Sequence, residues 1–79
     1  MANKVVMYTT QWCTYCRAAK RVLNELQVPF EEVDIEAVPG TGEQVEKWAG
    51  GFRTVPTFDI DGKIYVNPSR SELEAAVRG

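Results

Sequence analysis

Apolar and polar positions change their rhythm several times along this chain, and each change marks an element. Lys4 to Thr9 is a short run rich in valine, the pattern of a buried strand. A polar loop, Thr9-Thr10-Gln11-Trp12, follows. From Cys13 to about Gln27 the apolar positions Cys16, Ala19, Leu23 and Leu26 recur every three or four residues, which predicts one face of a helix ended by Pro29. Phe30 to Ile35 mixes apolar and acidic residues and predicts a second strand, with Glu31, Glu32 and Asp34 as its solvated face. Pro39-Gly40-Thr41-Gly42 is a turn, and Thr41 with Gln44 offers a capping box for a second helix. Val45, Trp48 and Ala49 share a face of that helix, which Gly50-Gly51 stops. Thr57 to Ile60 and Lys63 to Val66 flank Asp61-Gly62, a strong hairpin signal. Ser69 with Glu72 offers a second capping box, before a last helix with Leu73, Ala76 and Val77 on its buried side.

The order β-α-β-α-β-β-α carries its own topology. A first βαβ unit implies two parallel strands joined by a right-handed crossover. The hairpin adds two antiparallel strands. The expected fold class is α/β: a four-stranded mixed sheet flanked by three helices, the minimal thioredoxin-like arrangement. All 79 residues are expected to form one domain, since the length leaves no room for a second.

Composition narrows the chemistry. Two cysteines and no histidine cannot make several disulfide staples, nor a four-ligand Cys/His zinc site within one chain, so no metal ligands are assigned. The core must form by apolar packing, which 44% hydrophobic residues allow. Nine Lys and Arg against eleven Asp and Glu lack the basic footprint of a nucleic-acid binder. No apolar run approaches a membrane span, and Val5-Val6-Met7 is too short for the core of an export signal. A reducing cytoplasm is therefore expected, where a close cysteine pair serves catalysis or metal binding more often than structure.

That pair is Trp12-Cys13-Thr14-Tyr15-Cys16, placed after a strand and at the start of a helix. Unpaired N–H groups and the positive end of the helix dipole favour a thiolate at Cys13. A free cysteine titrates near ~8.5, and such sites fall to about 3.5–7.5. Cys16, one turn on, lies on the apolar stripe and is expected to be less exposed and less ionised. Spacing permits a disulfide between them. A second segment, Arg53-Thr54-Val55-Pro56-Thr57, precedes the third strand. It suits a cis Val55–Pro56 bond that would turn the Val55 backbone toward the cysteines, where an extended substrate could pair with it.

Together, Tyr8-Thr9-Thr10, Trp12-Cys13-x-Tyr15-Cys16, Glu32-Val33-Asp34-Ile35 and Thr54-Val55-Pro56-Thr57 resemble the glutaredoxins over nearly the whole chain. Gly50-Gly51-x-Arg53-Thr54-Val55-Pro56-Thr57, Asp61-Gly62 and Asn67-Pro68-Ser69 are closer to the mycoredoxins, relatives that act on mycothiol mixed disulfides. The resemblance implies a thiol–disulfide oxidoreductase with Cys13 as nucleophile and Cys16 as resolving cysteine. It implies Tyr15 beside the site, Val55 and Pro56 as a backbone dock, and Asn67 and Ser69 at the far end of a small thiol. Gln11, Trp12, Thr14, Arg53 and Thr54 complete the expected substrate-binding set, Arg53 as a candidate for a carboxylate. Thr10-Gln11-Trp12 lacks the lysine with which many glutathione-using members meet a substrate carboxylate, and position 14 is Thr where many have Pro.

The resemblance further implies no bound cofactor, with mycothiol or glutathione as co-substrate. The implied partners are thiol-modified or disulfide-containing proteins and a flavin disulfide reductase, and the chain is expected to be a monomer. Two alternatives remain open. One is an electron donor to ribonucleotide reductase, which Gly51-Phe52-Arg53 resembles faintly. The other is a dimer bridged by an iron–sulfur cluster, one cysteine from each chain, acting as carrier or sensor.

Overall fold

The computed structural model describes residues 2–78. Its elements are β1 Val5–Thr9, α1 Thr14–Glu25, β2 Glu31–Asp34, α2 Thr41–Trp48, β3 Thr57–Ile60, β4 Lys63–Val66 and α3 Arg70–Arg78. The sheet runs β2-β1-β3-β4, with β2 parallel to β1 and the other pairs antiparallel. This is the thioredoxin-like arrangement expected from the order of the elements.

The central position of β1 explains its continuous apolar run. Val5 and Met7 join a core with Ala19, Val22 and Leu23 of α1, Phe58 and Ile60 of β3, and Leu73 and Val77 of α3. Strand residues alternate between faces, so Tyr8 looks the other way. There its ring meets the edge of half-buried Trp48 on α2, with centroids 5.2 Å apart. One sheet face thus carries α1 and α3, and the other carries α2. The exposed Glu31 and Glu32 of β2, and Lys63 of β4, place charge on the edge strands, which discourages pairing with other chains.

The turns show which local signals hold. Asp61 (φ 51°) and Gly62 (φ 89°) both take the left-handed conformation that the two-residue hairpin turn demands. The Asp61 carboxylate also accepts N–H bonds from Asn3 and Lys4, at 3.1 and 2.8 Å, tying the start of the chain to the hairpin. The Ser69–Glu72 box forms in both directions: Glu72 accepts the Ser69 N–H at 2.8 Å, and the Ser69 hydroxyl accepts the Glu72 N–H at 3.2 Å.

Two boundaries differ from expectation. Thr41 does not cap α2. Gly40 takes the cap position with φ 85° and no side-chain bond, while the Thr41 hydroxyl turns back to the Val38 carbonyl at 2.7 Å. Glycine reaches that left-handed geometry freely, so the chain enters the helix one residue early. Likewise, α1 ends before Pro29. Gln27 sits at φ 57°, and the Val28 N–H reaches back to the Leu23 carbonyl at 2.9 Å, a Schellman closure that buries Val28 against the core.

Candidate active site

Cys13 is the N-cap of α1, with extended backbone angles (φ −86°, ψ 114°). Its sulfur accepts the N–H of Cys16 at 3.1 Å. A serine or aspartate oxygen usually makes this bond to the third helical residue; here sulfur makes it, directed by an orphan amide at the positive end of the helix. The same sulfur lies 3.7 Å from the Val55 carbonyl, to which its thiol donates. The Val55–Pro56 bond is cis, as expected.

The two thiols, both free, differ sharply in surroundings. Cys13 is half-buried, and Cys16 is 1% exposed. Burial pushes the Cys16 thiol up to about 11, and its hydrogen bond with Cys13 adds to the rise, while the hydroxyl of Thr9 and the backbone of Thr10 oppose it. A half-buried thiol at the helix mouth and a buried thiol one turn behind it is the difference in exposure expected from their places on the helix. Around them, Trp12 and Tyr15 are about 70% exposed, an unusual display of aromatic surface beside the cysteine pair. Exposed Gln11 and Thr14 flank the pair, and half-buried Thr54 accepts the Thr57 hydroxyl at 2.7 Å through its carbonyl, bracing the loop ahead of β3.

Two clefts flank Cys13. The larger, about 500 Å3, runs between α1 and α3 from Tyr15 and Pro56 to Asn67, Ser69 and Leu73. Asn67 is held there by its N–H to the Pro56 carbonyl, 2.8 Å. The smaller, about 200 Å3, holds both cysteines with Gln11, Thr10, Lys20 and Asp34. Although the larger cleft does not include the sulfurs, it is lined by Tyr15, next to Cys16 in the chain, and by Pro56, next to Val55.

Several placements were not foreseen. Glu32, on the face expected to be solvated, forms an ion pair with Lys20 of α1 at 3.1 Å along the smaller cleft. Asp34 is half-buried there instead of lying on a solvated face, and accepts the Glu36 N–H at 2.9 Å. The parallel register that sets Asp34 level with Thr9 was the available signal, because it brings the end of β2 beside the start of α1. The Thr10 hydroxyl is buried in this cleft and has no hydrogen-bond partner among the described residues. Arg53 lines neither cleft; its guanidinium meets Glu43 and Glu46 of α2, each at 3.2 Å, and lies over Gly42. No group of three His, Cys, Asp or Glu side chains suited to a metal gathers among the described residues.

An N-capping cysteine, a buried partner one turn on and a cis-proline loop facing the first sulfur define a thioredoxin-fold redox protein. Comparison with known proteins refines the class. The glutaredoxin family model matches residues 5–65, and the chain belongs to the glutaredoxin family. It is 42% identical over 72 residues to a Mycobacterium tuberculosis protein assigned to the glutaredoxins, covering 90% of this chain and 86% of that one. It is 32% identical over 76 residues to mycoredoxin 1 of Corynebacterium glutamicum, covering 95% and 94%. Among solved structures, the Archaeoglobus fulgidus glutaredoxin superposes with a TM-score of 0.82 at 26% identity, covering 100% of this chain and 89% of that one. Membership of the family implies thiol oxidoreductase activity. No helix among the described residues is long and apolar enough to cross a membrane.

Proposed function

We propose that the protein reduces mixed disulfides between proteins and a low-molecular-weight thiol, with mycothiol favoured over glutathione or bacillithiol. The observation that carries the chemistry is the Cys13 sulfur, half-exposed and accepting the Cys16 N–H at the mouth of α1. Likeness to a mycoredoxin over almost the full chain supports the choice of thiol.

In the first step the Cys13 thiolate attacks the small-thiol sulfur of the mixed disulfide. The old S–S bond breaks, and the protein substrate leaves with the electron pair and takes a proton from solvent. Cys13 is then joined to the small thiol. Two exits follow. A second small thiol attacks that sulfur and frees Cys13, giving the oxidised small-thiol dimer. Alternatively Cys16 loses its proton and attacks Cys13, releasing the small thiol and leaving an internal disulfide. Two electrons from a flavin disulfide reductase, relayed by thiols, restore the dithiol. The small thiol is a diffusible co-substrate and no resident cofactor is required. The working form is a monomer of the cytoplasm.

The test is reduction of a peptide mixed disulfide bearing mycothiol, glutathione or bacillithiol, by wild type, Cys13→Ser and Cys16→Ser. Cys13→Ser abolishes turnover, because a hydroxyl keeps the cap bond but is not a nucleophile at neutral pH. Cys16→Ser retains the route through a second small thiol. Failure of the wild type on all three substrates rejects the reading.

A further inference from the structure

We infer that Arg53 is a positioning residue: seated over Gly42 and shared between Glu43 and Glu46, it clamps to α2 the loop that carries Val55, and so holds the backbone dock opposite Cys13. The inference rests on disulfide exchange at Cys13 and adds a residue that acts on it from outside both clefts. The dock needs holding. Val55 is half-buried, and its carbonyl stands 3.7 Å from the Cys13 sulfur. On the β3 side the loop is braced, by the Thr57 hydroxyl on the Thr54 carbonyl at 2.7 Å and by the Asn67 N–H on the Pro56 carbonyl at 2.8 Å. On the other side the chain leaves α2 through Gly50 (φ 79°) and Gly51 (φ 109°), and Phe52 is exposed. Among the described residues, Arg53 is then the one side chain whose hydrogen bonds tie the approach to the dock back to α2.

The surface of α2 fits the guanidinium. Glu43 and Glu46 lie three residues apart on one helix face, and each presents a carboxylate oxygen at 3.2 Å, Glu43 to Nη2 and Glu46 to Nε. A planar fork divides itself between two acceptors in this way, whereas an ammonium would meet them as a single point charge. Gly42 is buried, and a Cβ built on it would stand 2.7 Å from the guanidinium carbon and from Nη1. Glycine within a helix is destabilising relative to alanine, and here it leaves the space in which the guanidinium lies. Each ion pair is partly exposed and weak by itself. Together with the seat they favour one position of the loop, and their loss changes the occupancy of that position a few-fold.

An arginine two residues from the dock could instead meet a carboxylate of the substrate. Its commitment to α2 argues against that use. Arg53 lines neither cleft, Nε and Nη2 each serve a glutamate, and Nη1 lies over Gly42. The side chain therefore acts through Val55. The Val55 N–H makes no hydrogen bond among the described residues, which leaves it for an extended substrate to pair with.

The experiment compares two uncharged disulfides as oxidants of the reduced protein: that of N-acetylcysteine N-methylamide, whose amides can pair with the dock, and that of 2-mercaptoethanol, which has none. In each, the Cys13 thiolate bonds to one sulfur, and the other leaves with the electron pair and takes a solvent proton. Cys16 then loses its proton and closes the internal disulfide, releasing the second thiol. The readout is the ratio of the two second-order rate constants, amide over hydroxyethyl. Arg53→Gln is expected to lower that ratio about two- to tenfold while the hydroxyethyl rate holds. Glu43→Gln with Glu46→Gln does the same, and the triple variant falls no further, because all three act as one unit. Gly42→Ala also lowers the ratio, by displacing the guanidinium, although its melting temperature equals or exceeds that of wild type. Salt at about 0.5 M brings wild type toward the variants. A ratio unmoved by Arg53→Gln, by the paired glutamine variant or by Gly42→Ala overturns the inference. So does an equal slowing on both disulfides, or a triple variant whose loss is the product of the separate losses. Each of these leaves the mixed-disulfide reading intact. A wild type that reacts with neither disulfide removes the exchange at Cys13, and the inference with it.

Discussion

Replacing Cys16 with alanine removes the group whose ionisation the fold opposes most, and pH exposes the effect. Burial, aided by the hydrogen bond with Cys13, raises this thiol from its ordinary value of 9.0 to about 11. The folded chain therefore keeps a proton that the unfolded chain releases between pH ~9 and ~11. Stability linked to that proton is fully present below pH ~9 and is lost as the pH rises through ~11. Two units correspond to about 2.7 kcal/mol in full, of which about 2 kcal/mol is gone by pH 11. The assay is urea unfolding of wild type and Cys16→Ala, with reductant, from pH 7 to 11. Lysines and tyrosines titrate alike in both proteins, so the difference reports on Cys16 and its coupling to Cys13. The wild-type advantage should be flat to pH 8 and fall by about 2 kcal/mol by pH 11. A difference constant within about 0.5 kcal/mol over that range refutes the assigned environment of Cys16. The same value has a chemical consequence. At pH 7 only about one Cys16 in ten thousand is a thiolate, so limited iodoacetamide should label Cys13 and spare Cys16.

Substitutions at three further positions probe the frame that positions the site. Phe58, 0% exposed in the centre of the core, should cost about 3–5 kcal/mol as Phe58→Ala. That is a large share of the roughly 4–12 kcal/mol available to a chain of this length, and chemical denaturation will show it. Asp61→Ala removes the acceptor for the Asn3 and Lys4 N–H groups and puts a Cβ-bearing residue without a polar side chain at φ 51°; a loss of about 1–3 kcal/mol is expected. Asp61→Gly, free to take that backbone angle, should recover up to about 1 kcal/mol of it in the same unfolding assay. Ser69→Ala breaks one half of the α3 capping box and should lower stability by about 1 kcal/mol, read as a reduced urea midpoint with unchanged slope.

Features carried by local rules were legible in the sequence. The Asp61-Gly62 turn, the Ser69–Glu72 box, the glycine stop after α2 and the cis bond before Pro56 each depend on a few adjacent residues. The mixed character of the sheet followed from element order, because a βαβ unit gives a parallel pair and a hairpin an antiparallel one. What escaped depended on competition or distance. Thr41 has the right side chain for a cap, yet Gly40 next to it reaches the cap geometry unaided and releases the hydroxyl for Val38. Gln27 is an uncommon residue for a left-handed helix end, and its position is set by Val28 closing on the core. Pairings between elements were also hidden: Lys20 with Glu32 and Arg53 with Glu43 and Glu46 arise only when separate helices and strands converge. For that reason the cysteines were identifiable from their spacing while the walls of their clefts were not.

The different characters of Cys13 and Cys16 come from a single helix turn. At the N-cap, backbone angles are extended and the side chain turns back toward free amides, so Cys13 gains a hydrogen-bond donor and access to solvent together. Three residues on, the side chain is buried, so Cys16 has no access to solvent, and the Thr9 and Thr10 hydrogen bonds offset only part of what burial costs its thiolate. The two environments are also coupled through the sulfur. Once Cys13 is bound in a disulfide its sulfur no longer makes the hydrogen bond that, second to burial, holds the Cys16 thiol up, so that part of the shift falls away and burial remains to be overcome. Formation of the intermediate thus lowers the barrier to ionising the thiol that would resolve it, with no movement of the helix required. An enzyme trapped with a small thiol on Cys13 should accordingly titrate Cys16 below the value in the free dithiol. If thiol absorbance at 240 nm gave the same or a higher value in the trapped form, the two sulfurs would not be communicating, and the closing step would need a proton acceptor from elsewhere in the molecule.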